Sequence, residues 1–115
     1  MTVTIYHNPK CSTSRKVLEA IRARGIAPEV IEYLKTPPAR DELRRLAADS
    51  GLGLRGLMRR QGTPWQELGL DDESLGEDQL LDAIEAHPIL LNRPIVVTPR
   101  GTRLTRPVEL LDEIL

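Results

Sequence analysis

The sequence predicts an α/β fold in which a four-stranded mixed sheet is flanked by helices. Three observations lead to this prediction. The first part of the chain shows a strand, a helix and a second strand, short helical patterns follow at about 38–87, and a β-rich segment with a tight-turn signal comes near the end. The order is therefore β-α-β, helical insert, β-β-α. At 115 residues we expect one domain over 1–115.

The first three elements form a predicted βαβ unit. Residues 2–6 alternate and are rich in β-formers, and residues 12–14 (STS) are typical of a helix N-terminus. Apolar residues follow at helical spacing, and Gly25 is placed to end the helix. Residues 28–34 predict a second strand, which a right-handed crossover sets parallel to the first.

The helical insert is predicted in short pieces. A helix starts at residues 36–38 (TPP), with Pro38 in its first turn, and Gly51 ends it. Further helical patterns cover 54–60, 65–68 and 77–86, separated by turn residues. The acidic residues between 71 and 78 predict a solvated face.

The last part of the chain predicts two strands and a helix. Residues 89–98 are expected to form a strand that is entered through the Arg93-Pro94 bond, and residues 99–101 (PRG) signal a tight turn to a hairpin partner at 102–105. The final helix is expected after Arg106, with Pro107 at its first position. The full order is that of a thioredoxin-like fold, although a fold alone does not define a function.

Composition excludes several classes of function. The net charge of −1 and the 3% aromatic content give no general attraction for nucleic acid or for a membrane surface. No run approaches the roughly 18 apolar residues of a membrane span, and the N-terminus lacks the features of a secretory signal. A single cysteine suits a reducing compartment. We therefore expect a cytoplasmic protein with no nucleic-acid or membrane partner.

Cys11 is the candidate nucleophile. It lies in a polar loop directly before a predicted helix, where unpaired N–H groups, Lys10, His7 and the nearby hydroxyls can stabilise a thiolate. The alternative is a small buried apolar residue. His7 either tunes the thiol or is an ordinary satisfied polar residue, and His87 is interpreted as a cation at a helix C-terminus.

The number of potential ligands and thiols limits the chemistry further. One cysteine and two distant histidines are too few for a zinc site, so we expect no metal and no bound cofactor. Ser14 occupies the position at which a CxxC motif has its second cysteine. Any covalent adduct on Cys11 must therefore be released by an external thiol such as glutathione, or by a partner such as glutaredoxin.

Residues 6–15 (YHNPKCSTSR) closely resemble the opening of the glutaredoxin-coupled arsenate reductases, the ArsC type. The similarity extends along nearly the whole chain. It includes residues 33–38 (YLKTPP), 40–43 (RDEL), 57–59 (LMR), 87–97 (HPILLNRPIVV) and 101–107 (GTRLTRP). At residues 10 and 12 this chain has Lys and Ser where other members have Ala and Gly.

This resemblance implies a set of residue roles. Cys11 matches the nucleophile, His7 and Ser14 match residues near the thiolate, and three arginines match those that hold the oxyanion, namely Arg59, Arg93 and Arg106. The implied activity is reduction of arsenate to arsenite in arsenic detoxification, with glutathione as co-substrate and glutaredoxin as partner. Arg93-Pro94 also matches the cis-proline position of the family.

Two alternatives stay open at this stage. One is a glutathione-dependent thiol reductase that acts on a different adduct, since it would need the same external thiol. The other is an Spx-like transcriptional regulator, since relatives of this fold bind RNA polymerase. Those relatives commonly carry a CxxC switch, which Ser14 removes here.

Overall fold

The computed structural model describes residues 2–115, and the chain forms two compact units. The first contains the chain up to Thr36 together with Arg93–Leu115, and the second contains Pro37–Asn92. The predicted helical insert corresponds closely to the second unit. A single domain over 1–115 stays a prediction.

The first unit contains a four-stranded mixed sheet, which confirms the predicted fold class. Its strands are β1 (Thr4–His7), β2 (Glu29–Glu32), β3 (Ile95–Thr98) and β4 (Gly101–Leu104), in the order β2-β1-β3-β4. As predicted, β1 and β2 are parallel and β3 and β4 form an antiparallel hairpin. β1 pairs with β3 in antiparallel orientation, which joins the βαβ unit to the hairpin.

Helix α1 (Ser12–Ala23) follows β1 and covers one face of the sheet. Its buried face carries Val17, Leu18 and Ile21, which have the helical spacing seen in the sequence. These side chains pack with Ile5 of β1 and with other apolar residues of the first unit. Just beyond the helix, the backbone at Gly25 has φ +77, as its predicted place at a helix end requires.

The C-terminal helix is a 3₁₀ helix over Val108–Glu113, not an α-helix, and Pro107 precedes it in extended conformation. The prediction of a helix here is confirmed, but the prediction that Pro107 is its first residue is wrong. Leu111 lies in this helix, and Ile114 directly follows it as the C-cap residue. Both are buried in the same apolar cluster as α1, so this geometry suits the packing.

The strand predicted over 89–98 is wrong in its first half. Pro88–Leu90 forms a 3₁₀ helix in the second unit, and β3 begins only at Ile95. Pro94 has no N–H to contribute to a sheet ladder, which explains why pairing starts after it. Its carbonyl instead accepts hydrogen bonds from the backbone N–H and the Oγ1 of Thr105.

The second unit is helical, with α2 (Arg40–Ser50), α3 (Gly53–Gly56) and α4 (Glu77–Ala86). Helix α4 and the left-handed Gly51 after α2 are as predicted. The expected inclusion of Pro38 in α2 is wrong: Ala39 has an extended backbone, with φ −67 and ψ 161, and is the N-cap residue, so the helix begins only at Arg40.

The remaining helical predictions for this unit are only partly correct. The predicted helix over 54–60 is reduced to α3, and 65–68 forms turns instead of a helix. Arginines of α2 bind acidic residues of α4: Arg44 pairs with Glu77 in its first turn and Arg40 with Asp82 in its middle. The predicted acidic face is therefore exposed, but part of it pairs with arginines.

Candidate active site

The ends of all four strands meet at one edge of the sheet. His7 at the end of β1 lies opposite Glu32 at the end of β2. Ile95 starts β3 at this same edge, paired with Tyr6, and β4 ends here at Leu104. The residues just after β1, β2 and β4 and just before β3 are therefore brought together, although they are far apart in the chain.

Cys11 occupies the N-cap position of α1 at this edge. Its backbone is extended, with φ −93 and ψ 122, and its N–H donates to the carbonyl of Asn8 at 3.0 Å. The Cys11 carbonyl accepts the N–H of Arg15 at 3.0 Å. The thiol lies at the positive end of the helix and is partly exposed. The position directly before a helix, predicted from the sequence, is confirmed.

Two arginines face the sulfur. Arg106 lies just beyond β4, and its Nη1 is 3.6 Å from the Sγ of Cys11 and donates to the carbonyl of Arg93 at 3.0 Å. Arg93 lies just before β3, with buried Nε and Nη1 atoms, and its side chain also interacts with the Cys11 sulfur. The Arg93-Pro94 bond is cis, as the family resemblance implied.

These contacts make Cys11 acidic. Burial is the largest single effect and raises the pKa of the thiol, but the backbone N–H of Ser14 and the side chains of Arg93 and Arg106 act in the opposite direction. Together they lower the pKa of Cys11 from 9.0 to about 7. A large share of the thiol is therefore ionised at neutral pH, which is the state required for nucleophilic attack.

His7 and Ser14 tie the end of β1 to the first turn of α1. The Nδ1 of His7 is 2.6 Å from the Oγ of Ser14, and this same hydroxyl accepts the N–H of Asn8 at 3.1 Å. All three residues are buried. His7 thus contacts Ser14, and the N–H of Ser14 interacts with Cys11. This arrangement holds the helix start, and the thiol on it, in place relative to the sheet.

Burial keeps His7 neutral. It is the main cause of the lowered pKa of His7, to which Arg22 and Arg15 also contribute, while Glu32 acts in the opposite direction. A neutral imidazole adds no positive charge to this part of the site. The electrostatic stabilisation of the thiolate therefore comes from the arginines and the helix N-terminus, and His7 acts through its hydrogen bond to Ser14.

Tyr33 is a site residue that the sequence did not indicate. It directly follows β2, as Asn8 follows β1, and its ring is fully buried. Burial, the largest effect, raises the pKa of its hydroxyl and the charge of Cys11 raises it further, while Arg93 and Asn8 lower it. Its position in the sequence is the one signal that could have identified it. Parallel pairing of β1 with β2 places the residues that follow them, Asn8 and Tyr33, side by side.

Arg59, the third predicted oxyanion ligand, belongs to the second unit. There its N–H donates to the carbonyl of Leu90 at 2.7 Å and its Nε donates to the carbonyl of Gln61 at 3.0 Å. Its place beside Cys11 stays a prediction. Five of the six predicted site residues lie together in the first unit: Cys11, His7, Ser14, Arg93 and Arg106.

Two further observations concern metals and membranes. Within residues 2–115, no three His, Cys, Asp or Glu side chains are grouped so that they could hold a metal ion. Over the same range, no helix has both the length and the apolar character needed to cross a membrane.

The chemistry that this site offers is that of a thiolate beside guanidinium groups. This arrangement suits attack on an electrophilic centre that carries negatively charged oxygens.

Comparison with known proteins agrees with this chemistry. Residues 6–114 match the model of the ArsC family. The chain is 57% identical to an arsenate reductase of Escherichia coli over 113 residues, which are 98% of this chain and 80% of that protein. It is also 57% identical to an arsenate reductase of Rhizobium meliloti over 115 residues, with 100% and 82% of the two chains covered.

A solved structure gives the same result for the fold. The arsenate reductase from Vibrio cholerae superposes with a TM-score of 0.95 at 47% identity, covering 100% of this chain and 98% of that one. Its resemblance to the chain confirms the thioredoxin-like arrangement predicted from the order of elements. With its nearly complete match to the family model and its close relatives, the chain belongs to the ArsC family.

Proposed function

We propose that this protein is an arsenate reductase, which converts arsenate to arsenite through a covalent adduct on Cys11. The observation that carries the proposal is the contact of Arg106 and Arg93 with a thiol whose pKa is about 7. Membership of the ArsC family and the arsenate reductases among its relatives support the same activity. The relatives also favour an enzyme over a transcriptional regulator.

The arginines make the first step feasible. Arsenate at neutral pH carries one or two negative charges, and a thiolate that approaches it is repelled by the charge of the oxygens. Guanidinium groups from Arg93 and Arg106 offset that charge and can each hold two oxygens in a forked hydrogen bond. We assign Arg59 as a third guanidinium ligand, on the family resemblance alone.

The proposed chemistry takes place in three steps. The Cys11 sulfur bonds to arsenic(V), and one arsenate oxygen leaves as water after protonation. The thiol of glutathione then bonds to arsenic, and a second oxygen leaves as water. A glutaredoxin thiolate attacks the glutathione sulfur, the sulfur–arsenic electron pair stays on arsenic as arsenic(III), and glutaredoxin and glutathione form a mixed disulfide.

The cycle ends when water hydrolyses the bond between arsenic(III) and Cys11, which releases arsenite and restores the thiol. Every electron comes from outside the chain, because Cys11 is its only cysteine. Glutathione is therefore a co-substrate and glutaredoxin a partner in this proposal. A thiolate without a disulfide partner also suits a reducing compartment such as the cytoplasm.

The test is arsenite release by the purified protein with arsenate, glutathione and glutaredoxin. We expect turnover that Cys11→Ser abolishes and that Arg100→Met leaves unchanged. Arg100→Met is the control variant, because it removes a guanidinium group outside the site. Arg100 lies in the β3–β4 turn, where its side chain donates to the carbonyl of Leu115. If protein whose free Cys11 thiol has been confirmed by titration shows no turnover, the proposal is contradicted. Protection of Cys11 by glutathione without protection by arsenate would favour a thiol reductase for another adduct.

A further inference from the structure

The hydroxyl of Tyr33 is a buried polar group that the proposed chemistry does not yet use. The side chain is 0% exposed. The side chains of Asn8 and Arg93 act as donors towards its oxygen and lower its pKa, but no residue that the structure describes accepts its O–H proton at hydrogen-bond geometry. Folded proteins pair the large majority of such groups, because an unpaired buried hydroxyl is unfavourable. An unpaired hydroxyl at the edge of an active site therefore requires an explanation.

The surroundings of this hydroxyl restrict what can pair with it. The side chains of Arg93 and Asn8 lie within hydrogen-bonding reach of it, and the charge of Cys11 acts on it electrostatically. A guanidinium group has donors only, so Arg93 cannot accept the tyrosine proton. The Oδ1 of Asn8 already accepts the N–H of Lys10 at 2.9 Å. The O–H of Tyr33 is thus a donor in a region of positive charge, where an anionic oxygen is the best acceptor.

We propose that Tyr33 is a further substrate-binding residue, which donates a hydrogen bond to an oxygen of the tetrahedral oxyanion held by Arg93 and attacked by Cys11. This inference rests on the proposed function, since it needs an oxyanion at this site. Within residues 2–115 the O–H has no acceptor, and the bound anion would supply one. The ring contributes packing and the hydroxyl contributes to binding.

Electrostatics agree with a donor that stays protonated. Burial raises the pKa of Tyr33, and a negative charge on Cys11 raises it further. The phenol therefore keeps its proton at the pH at which Cys11 is ionised. A neutral O–H also avoids the repulsion that a second anionic side chain would add to the site.

The test compares the unmodified protein with Tyr33→Phe, which keeps the buried ring and removes only the hydroxyl. Arsenate alone is the probe, and the readout is the arsenate concentration that halves the rate of Cys11 alkylation. We expect this concentration to rise roughly tenfold in Tyr33→Phe, as for loss of a hydrogen bond to a charged group. The stability of the free protein should be unchanged or higher, and the pKa of Cys11 without arsenate should be unchanged.

Thr98→Val is the matched control, because it also removes one buried hydroxyl from the sheet. The Oγ1 of Thr98 donates to the carbonyl of Ile114 at 2.7 Å, at the opposite end of β3 from the site. We expect this variant to lose stability while its arsenate protection is unchanged. The pair thus separates a binding hydroxyl from a structural one.

Each outcome decides the inference. Equal arsenate protection in the unmodified protein and in Tyr33→Phe would overturn the assignment of Tyr33 and leave the proposed function standing. Absence of protection in the unmodified protein would overturn both. A second test needs no variant and uses NMR of protein whose tyrosines are labelled with ¹³C at Cζ. The chain has only two tyrosines, so the spectrum contains only two such signals. We expect the Tyr33 signal to shift on addition of arsenate, and an unchanged signal would overturn the inference.

Discussion

Replacement of Arg106 by methionine should make Cys11 less acidic. The Arg106 side chain donates to the Cys11 sulfur at 3.6 Å and to the carbonyl of Arg93 at 3.0 Å. Methionine has a similar length but no charge and no donor, so Arg106→Met removes one of the contacts that lower the pKa of Cys11 to about 7. The contacts of the thiol with Arg93 and with the N–H of Ser14 remain.

The expected rise in the pKa of Cys11 follows from the strength of such hydrogen bonds. A hydrogen bond to a charged group contributes about 1.5–3 kcal/mol, and partial exposure of the thiol reduces this value. We take about 1.4 kcal/mol, which corresponds to about one pKa unit. At pH 7 the ionised fraction of Cys11 would then fall from about one half to about one tenth, and the alkylation rate about fivefold.

The assay is the alkylation rate of Cys11 over a pH range that spans both pKa values. The rates of the two proteins should differ most at neutral pH and converge at alkaline pH, where both thiols are fully ionised. Arg106→Lys, which keeps the charge without the fork, should be intermediate. Arg100→Met changes the net charge equally and should leave the profile unchanged. An Arg106→Met profile that superposes on the unmodified one, in folded protein, would refute the assignment.

Three further predictions concern stability and substrate binding. Ser14→Ala removes the acceptor of the buried Asn8 N–H, and we expect urea denaturation to show a loss of about 1–3 kcal/mol in the free energy of unfolding. Because the pKa of Cys11 is lower in the folded state than its unfolded value of 9.0, ionisation favours folding, so this contribution grows as pH rises through about 7 and is complete above 9.0. The difference in unfolding free energy between the unmodified protein and Cys11→Ser should therefore increase over that range, and a constant difference would count against a lowered pKa. Arg59→Met should raise the arsenate concentration that half-protects Cys11 by roughly tenfold, whereas Arg60→Met, which removes a cation that lies 5.0 Å from the centre of the Trp65 ring, should not.

Regular elements could be predicted where local signals agree. Helix α4 occupies Glu77–Ala86, the range given by its apolar spacing, and α1 begins at the serine of the predicted N-terminus. The errors concern short helices, the start of α2 and the first half of the strand predicted over 89–98. Whether Val108–Glu113 adopts 3₁₀ or α geometry depends on hydrogen bonding over a few residues and on packing, to which apolar spacing is insensitive.

The candidate site could be predicted only in part from local chemistry. Cys11 carries its own signal, because a helix start and polar neighbours surround it in the chain. Arg93 and Arg106 carry no such signal, since most arginines are simply solvated, and the family resemblance alone pointed to them. Their approach to the thiol depends on the register of β3 and β4.

The role of Tyr33 could not be predicted from the sequence for a different reason. An aromatic residue at the end of a strand is usually part of a core, and the ring of Tyr33 is indeed fully buried. Its unpaired hydroxyl is a property of its neighbours in space, which the parallel pairing of β1 and β2 brings together. No pattern along the chain reports whether a phenol finds a hydrogen-bond partner.

The acidic thiol of Cys11 should also make this protein sensitive to peroxide. A partly exposed thiolate is readily oxidised to a sulfenic acid, and many redox proteins stop there by forming a disulfide with a second cysteine. This chain has none, so a sulfenic acid at Cys11 must either meet an external thiol or proceed to the irreversible sulfinic acid. In the proposed cycle, the external thiol that drives turnover would therefore also protect the resting enzyme, and we expect depletion of that thiol under oxidative stress to inactivate the protein permanently.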